Sequence, residues 1–491
     1  MKKDSFLKNK FALALVVFLT VLVIARLLLL NQYPLIGTTE PRYAELARKM
    51  LVTGDWVTLW VSDGVPLWGK PPLLFWLDAM SMSVLGINEF ALRLPTFIAS
   101  LIVLGLFWFW PAKAEQSAPK NTLFALVACL IYFSTPFGFF AAGFVATDIF
   151  LTLGLTLSML GFWSAIQSPA AKSWQRLWSW AFFVGMAIGL LAKGPLALVL
   201  LGLALFIWML WSPKTRFLLI WKSLPWIRGL LLMSVLAFPW YILHEIRTPG
   251  FLNHFIIGEH FERFFVKDWA GGRFAPSHGE PLGMIWWFAI EAFMPWLVLS
   301  IPVIYMAIKR QSSARIIAQM SHETQYLLGW IAAPLLLFTP SRNILEAYML
   351  TALPAFAILT SRLWLDLIER NSNWQRGIYL AIPAPLVVIV AVMFFNPVLD
   401  EQSQKHILQN WQTGTPIVYI GKVPPSAAFY TRNQATDSPS FAAFEAALLA
   451  KPSPEPISVV MHYTEFDTMN ASQKQQWKLV KTYGDYVMLR K

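Results

Sequence analysis

Apolar runs of fifteen to thirty residues recur along the chain between short polar stretches, a pattern that predicts a bundle of membrane-crossing helices. They fall near 11–30, 91–110, 122–140, 148–167, 178–192, 195–211, 226–244, 282–308, 325–339, 345–361 and 377–396. The first follows Lys2, Lys3, Lys8 and Lys10 and ends in Arg26, Leu27 to Leu30 and Asn31 without a small-residue cleavage pattern. It reads as a retained helix whose basic flank holds the N-terminus in the cytoplasm. About eleven spans then place the C-terminus outside. Lys and Arg agree with this orientation: about 17 fall on the inner side, among them Lys113, Lys120, Lys214, Arg216 and Arg362, against about two in short outer turns, Lys193 and Arg342.

Three stretches depart from the pattern. Residues 31–90 are too polar and too punctuated by Gly and Pro to cross, and they predict two interfacial helices on the outer face, Thr39 to Thr53 and Pro71 to Leu85. Residues 244–281 form a second long outer segment, with a helical run holding Glu259, His260 and Arg263 and a mobile-loop signal at Gly271, Gly272 and Arg273. From about Pro397 onward, strand-like runs at 416–420, 457–462 and 483–489 alternate with helical patterns at 403–411 and 440–450, which predicts a small α/β domain outside the membrane.

Composition removes the soluble alternatives. At 57% hydrophobic and 13% charged over 491 residues, the chain is a polytopic membrane protein. A net charge of +12 could suggest nucleic acid, but its carriers sit in short loops between spans, so no nucleic-acid partner is expected. The lone cysteine, Cys129, lies in an apolar run and allows no intramolecular disulfide; the 24 Trp and 37 Phe suit interfacial belts rather than a cofactor.

The candidate chemistry gathers on the outer side. In Thr38, Thr39, Glu40, Pro41, Arg42, Tyr43, with Thr39 as helix N-cap, Glu40 and Arg42 stand at a helix start, where free amides favour a carboxylate and assist an anion. The bland alternative is a solvated surface helix. Lys70, held before Pro71 and Pro72, either reaches a lipid phosphate or snorkels into the headgroups. Asp148, at the outer mouth of a span, is a helix cap or a group that ligates a metal or orients a sugar hydroxyl. Lys193 sits in a short turn, Ala192-Lys193-Gly194-Pro195. His260, with Glu259 beside it, could bind phosphate, ligate a divalent metal or do neither; no cofactor is required.

Taken in order, Thr39 to Ala44, Trp68-Gly69-Lys70-Pro71-Pro72, Asp148, Ala192 to Pro195, Pro239-Trp240-Tyr241, Glu259-His260, and Ser341 with Tyr348 resemble the GT-C integral-membrane glycosyltransferases, in the group of lipid A aminoarabinose transferases and protein O-mannosyltransferases. The resemblance covers most of residues 1–365. It implies a GT-C transmembrane domain at 1–396, a periplasmic α/β domain at 397–491, and a bacterial inner-membrane location. It also implies inverting transfer of a sugar from a polyprenyl-phosphate donor to a lipid, glycan or protein acceptor on the periplasmic face. Arg42, Tyr43, Lys70, Lys193 and Arg342 would hold the donor phosphate, Glu40 or Asp148 would act as base, and Glu259, His260 and Tyr348 would line the substrate loop. Relatives commonly carry Asp-Glu where this chain has Thr39-Glu40, and Glu before Lys-Pro where it has Gly69, so two expected carboxylates are missing. A phosphate acceptor, which arrives deprotonated, would tolerate that loss. The competing class, a transporter or flippase of an anionic or lipid-linked substrate, should show an internal repeat or charged midplane sites, and neither is found.

Overall fold

The computed structural model describes residues 2–62, 64–110, 118–167, 173–266, 279–309, 320–370, 403–451 and 455–491. The run expected at 377–396, the boundary at 396/397, and Gly271, Gly272 and Arg273 lie outside these residues.

α1 (Lys2–Leu29) carries the first apolar run, and a short lead-in follows to α2 (Thr39–Thr53), which ends on Gly54 in the left-handed conformation, its amide bonded to the Met50 carbonyl at 3.0 Å. Thr39 is the first helical residue rather than the cap, and Thr38 in the cap position offers no side-chain hydrogen bond. Glu40, Tyr43, Glu45 and Arg48 are all buried, because α2 is packed between α3 (Leu73–Leu85) and the C-terminal residues. A small hairpin, β1 (Trp60–Ser62) and β2 (Val65–Pro66), precedes α3.

α4 (Glu89–Leu106) starts on an Asn88 cap that accepts from the Ala91 amide. The expected run 122–140 is broken: α5 (Ala118–Ser134) stops, the Thr135 hydroxyl caps the Gly138 amide at 3.0 Å, and α6 (Pro136–Ala141) begins with proline in its first turn. α7 (Asp148–Gln167) and α8 (Ser173–Lys193) pack antiparallel through glycines: a Cβ on Gly154 would stand 2.6 Å from the Gly185 carbonyl oxygen, and one on Gly161 2.6 Å from that of Trp178. α9 (Leu196–Met209), α10 (Pro213–Ser223) and α11 (Trp226–Arg247) follow.

The sequence suggests about eleven crossings. Among the described residues five helices are long and apolar enough: Lys10–Leu29, Glu89–Phe109, Asp148–Gln167, Trp226–Arg247 and Glu346–Ile368. A sixth is gained if Met284–Phe293 and Trp296–Pro302, bent by 81° at their junction, act together. Among the other expected runs, Leu196–Met209 is a helix of 14 residues, and the run at 122–140 is divided at Pro136.

The C-terminal residues form a five-stranded mixed sheet in the order β4-β3-β5-β7-β6. β3 (Ile417–Ile420) runs parallel to β4 (Thr436–Ser438) and β5 (Ser458–His462), while β7 (Tyr486–Arg490) runs antiparallel to β5 and β6 (Lys478–Tyr483). β3, β5 and β7 match the expected strands; β4 and β6 do not appear in the sequence reading. Strand alternation buries both faces: Val459, Met461, Val487 and Leu489 pack on Phe441, Phe444 and Trp477, while Val460 and Met488 join Ile417, Tyr419 and Ala427. The helix expected at 403–411 shrinks to Lys405–Leu408, and that at 440–450 is Phe441–Ala450 with Ser440 as cap. The short helix Pro425–Tyr430 packs on α2, and its Phe429 joins the main hydrophobic core.

Candidate functional site

Two helix ends set the centre of the site. Asp148 is the first residue of α7 and Lys193 the last of α8, so antiparallel packing brings a carboxylate at a helix N-terminus against an ammonium at a C-terminus, each favoured by the local dipole. Lys193 Nζ donates to Asp148 Oδ1 at 2.5 Å, and both side chains are largely buried. The same ammonium lies 4.4 Å from the centroid of the Tyr348 ring. Gly194 turns the chain with φ of +75°, and a Cβ there would stand 2.6 Å from the Phe255 ring, so this turn requires glycine on two counts.

Residues 251–265 close the pocket with a helix wound wider than expected. His254–Glu262 is a π-helix, in which five-residue repeats align side chains. Phe255 therefore lies beneath His260: the rings are 4.8 Å apart at 79°, and His260 Nδ1 sits 2.7 Å from the Phe255 carbonyl. His260 Nε2 is 3.2 Å from the Lys193 carbonyl. Burial holds the imidazole below its ordinary pKa, against the opposing pull of those carbonyls. With both ring nitrogens turned onto backbone, His260 pins the π-helix to the Lys193 turn. Among the described residues no three His, Cys, Asp or Glu side chains form a metal-binding set.

The pocket is lined by Gly69, Lys70, Lys193, Leu196, Phe255, Glu259, His260, Arg263, Phe264, Phe338, Asn343 and Tyr348. Glu259 is paired with Arg263 at 2.9 Å. A Cβ on Gly69 would meet the Glu259 carboxylate at 3.1 Å, so the space a side chain at position 69 would take is filled by the carboxylate of Glu259. Burial depresses the Lys70 ammonium below the ordinary lysine range; Glu259 resists this, while Lys193 and Arg263 add to it. Three cationic side chains thus converge on one apolar-walled pocket with two carboxylates beside them.

Of the residues singled out in the sequence, Lys70, Lys193, Glu259, His260 and Tyr348 line this pocket, and Asp148 is tied to it through Lys193. Tyr43 packs edge-on against Phe75 at 5.3 Å and lies in the electrostatic reach of Arg42, Lys193, Asp148 and Arg263; burial raises its phenol, and those cations partly offset the rise. Arg42 stands 5.9 Å from the centroid of the Tyr43 ring.

Two residues fall elsewhere. Arg342 is exposed and does not line the pocket, although its neighbour Asn343 does. Glu40 is fully buried in a clamp of its own: Arg93 donates through Nε at 2.8 Å and Nη2 at 2.7 Å, and the Ile36 and Val145 amides donate at 3.0 and 3.4 Å. Both carboxylate oxygens are occupied, so the solvated-helix alternative does not hold. Arg93 also donates to the Leu30, Tyr33 and Pro34 carbonyls, which fixes the lead-in to α2. Sequence reasoning gave Arg263 no phosphate role and overlooked Arg93 entirely. The first had a signal in its spacing from Glu259; the second had only its place near the start of an apolar run, since its partner lies 53 residues away.

A family model described as dolichyl-phosphate-mannose-protein mannosyltransferase matches residues 9–255, half of the 491-residue chain. Similar proteins include the undecaprenyl phosphate-alpha-4-amino-4-deoxy-L-arabinose arabinosyl transferase of Aeromonas hydrophila, 27% identical over 384 residues that make up 76% of this chain and 64% of that protein. The corresponding transferase 1 of Pseudomonas fluorescens is 27% identical over 383 residues, 76% of this chain and 60% of that one. The chain spans less than two thirds of the length of these two relatives. Its fold is that of the crystal structure of ArnT from Cupriavidus metallidurans bound to undecaprenyl phosphate, with a TM-score of 0.73 at 20% identity over 97% of both chains. By the match across half its length, this chain belongs to the dolichyl-phosphate-mannose-protein mannosyltransferase family.

Proposed function

We propose that this protein is an inverting glycosyltransferase of the bacterial inner membrane that moves a sugar from a polyprenyl-phosphate donor to an envelope acceptor, lipid A or another lipid, glycan or protein, on the periplasmic face. The observation that carries this reading is the convergence of Lys70, Lys193 and Arg263 with Asp148 and Glu259 at a pocket walled by Leu196, Phe255, Phe264 and Phe338. Cations beside apolar walls suit a phosphodiester with a prenyl tail. The names of the relatives, which specify an undecaprenyl phosphate sugar, support the same donor class.

In the proposed reaction an acceptor oxygen attacks the anomeric carbon, the bond from that carbon to the phosphate oxygen breaks, and the polyprenyl phosphate leaves. Lys70, Lys193 and Arg263 stabilise the charge that grows on the leaving phosphate, with Arg42 and Tyr43 at its edge. Asp148 takes the proton of a hydroxyl acceptor. Glu259 stands beside Gly69 and keeps Lys70 charged against its burial. The crossings number about eleven, and residues 397–491 form a periplasmic domain.

Mass spectrometry of envelope lipids from cells lacking the protein tests the proposal. One sugar-bearing species should vanish, its polyprenyl-phosphate donor should accumulate, and the wild-type gene should restore both. An unchanged glycan profile with a lipid-linked precursor stranded on the cytoplasmic leaflet would replace this reading with transport.

A pH dependence follows from Lys70. It binds phosphate only when charged, and its pKa is depressed, so donor affinity falls as pH rises, earlier than for an unperturbed lysine. Titrating undecaprenyl phosphate binding between about pH 7 and pH 10.5 should show that limb, and Lys70→Arg should move it upward. An alkaline limb unmoved by Lys70→Arg would remove Lys70 from the phosphate site.

A further inference from the structure

The C-terminal residues reach back to the loop that leads into the site. Tyr430, at the end of the short helix Pro425–Tyr430, accepts a hydrogen bond from the Leu35 amide at 2.8 Å and donates to Glu89 Oε1 at 3.0 Å. Lys405 Nζ also bonds Glu89 Oε1, at 2.5 Å. Tyr430 therefore ties the lead-in of α2 to the first residue of α4, and Lys405 fixes the knot from the C-terminal side.

This lead-in has few other ways to hold its amides. Thr38 gives α2 no side-chain cap, the Ile36 amide goes to Glu40, and the Leu35 amide goes to Tyr430. The neighbouring carbonyls of Tyr33 and Pro34 are held by Arg93. Four residues past Ile36 the helix is under way, and Arg42 and Tyr43 follow at once, Arg42 against the Tyr43 ring and Tyr43 in the electrostatic reach of Lys193, Asp148 and Arg263. We infer that Tyr430 is a positioning residue: by anchoring the Leu35 amide it sets the pose of Arg42 and Tyr43, so the C-terminal residues tune donor-phosphate affinity without touching the donor. The inference rests on the transferase reading for the identity of that phosphate.

Purified full-length protein in detergent, with undecaprenyl phosphate as the binding probe, tests it. Tyr430→Phe removes the hydroxyl and keeps the ring. It should weaken undecaprenyl phosphate binding about ten-fold and raise the donor KM alike, while kcat at saturating donor stays within about two-fold of wild type. In an Arg42→Ala background the same substitution should add much less than it does in wild type, because one of the two groups it positions is gone. Equal affinity in Tyr430→Phe and wild type would overturn the inference, and so would an effect that adds in full to that of Arg42→Ala, since that marks general loosening. Wild-type protein that binds undecaprenyl phosphate but transfers no sugar would overturn the transferase reading alone, and the affinity comparison would still decide the role of Tyr430. Wild-type protein that binds none would overturn both.

Discussion

Asp148→Asn is expected to lower sugar transfer to a hydroxyl acceptor by about 10²- to 10⁴-fold, the range over which positioned proton transfer contributes. Asn keeps the shape at the mouth of α7 and can still accept from Lys193, but it cannot take a proton and leaves the buried ammonium without a counter-charge. Two outcomes separate these effects. If turnover collapses with a hydroxyl acceptor and survives with a phosphate acceptor, proton removal is the role of Asp148. If both acceptors suffer alike and undecaprenyl phosphate affinity shifts too, its role is to hold Lys193 in place. Activity with both acceptors within about three-fold of wild type would take Asp148 out of the reaction.

Glu40→Gln should act on stability before chemistry. Arg93 has no exposed surface, and its guanidinium is balanced by Glu40 through two hydrogen bonds. Removing one partner of such a buried pair leaves an uncompensated charge and costs about 3–5 kcal/mol. Thermal unfolding in detergent should show a large fall in Tm, with low recovery from membranes. Replacing Arg93 by Leu as well should recover part of that loss, because the stranded charge is then gone. A Glu40→Gln protein with wild-type Tm and no turnover would return the base role to Glu40.

The contrast between these two carboxylates shows where the sequence was informative. Both were legible as costly groups in an apolar chain, and the start of α2 at Thr39, its end at Thr53 and the start of α3 after Pro72 could be placed from proline, glycine and apolar spacing. Which carboxylate met a fixed arginine depended on a contact between residues 40 and 93, and local pattern carries no trace of that pairing. Asp148 and Lys193 were visible as the ends of two apolar runs, which is why antiparallel packing delivered them to one place. Glu259 meets Arg263 at the i,i+4 spacing the sequence suggested, whereas the approach of its carboxylate to Gly69 joins two segments that no local pattern links. The loss of a side chain at 69 and the presence of a carboxylate at 259 become one feature only in three dimensions. Helix breaks were the least legible, because apolar composition measures a tendency to leave water and says little about where a proline or a capping threonine will interrupt a helix.

The bond between Tyr430 and Leu35 joins residues 395 positions apart, and this fixes an order of events during synthesis. At about 5–20 residues per second, roughly 20–80 s pass between the emergence of Leu35 and that of Tyr430. Arg93 reaches Glu40 after only 53 residues, so the base of α2 can be locked while most of the chain is still unmade. The Leu35 amide alone waits for Tyr430. A nascent chain can therefore hold a lead-in already clamped by Arg93 while its Leu35 amide still lacks Tyr430, and a ribosome that stalls before residue 430 leaves that bond unmade.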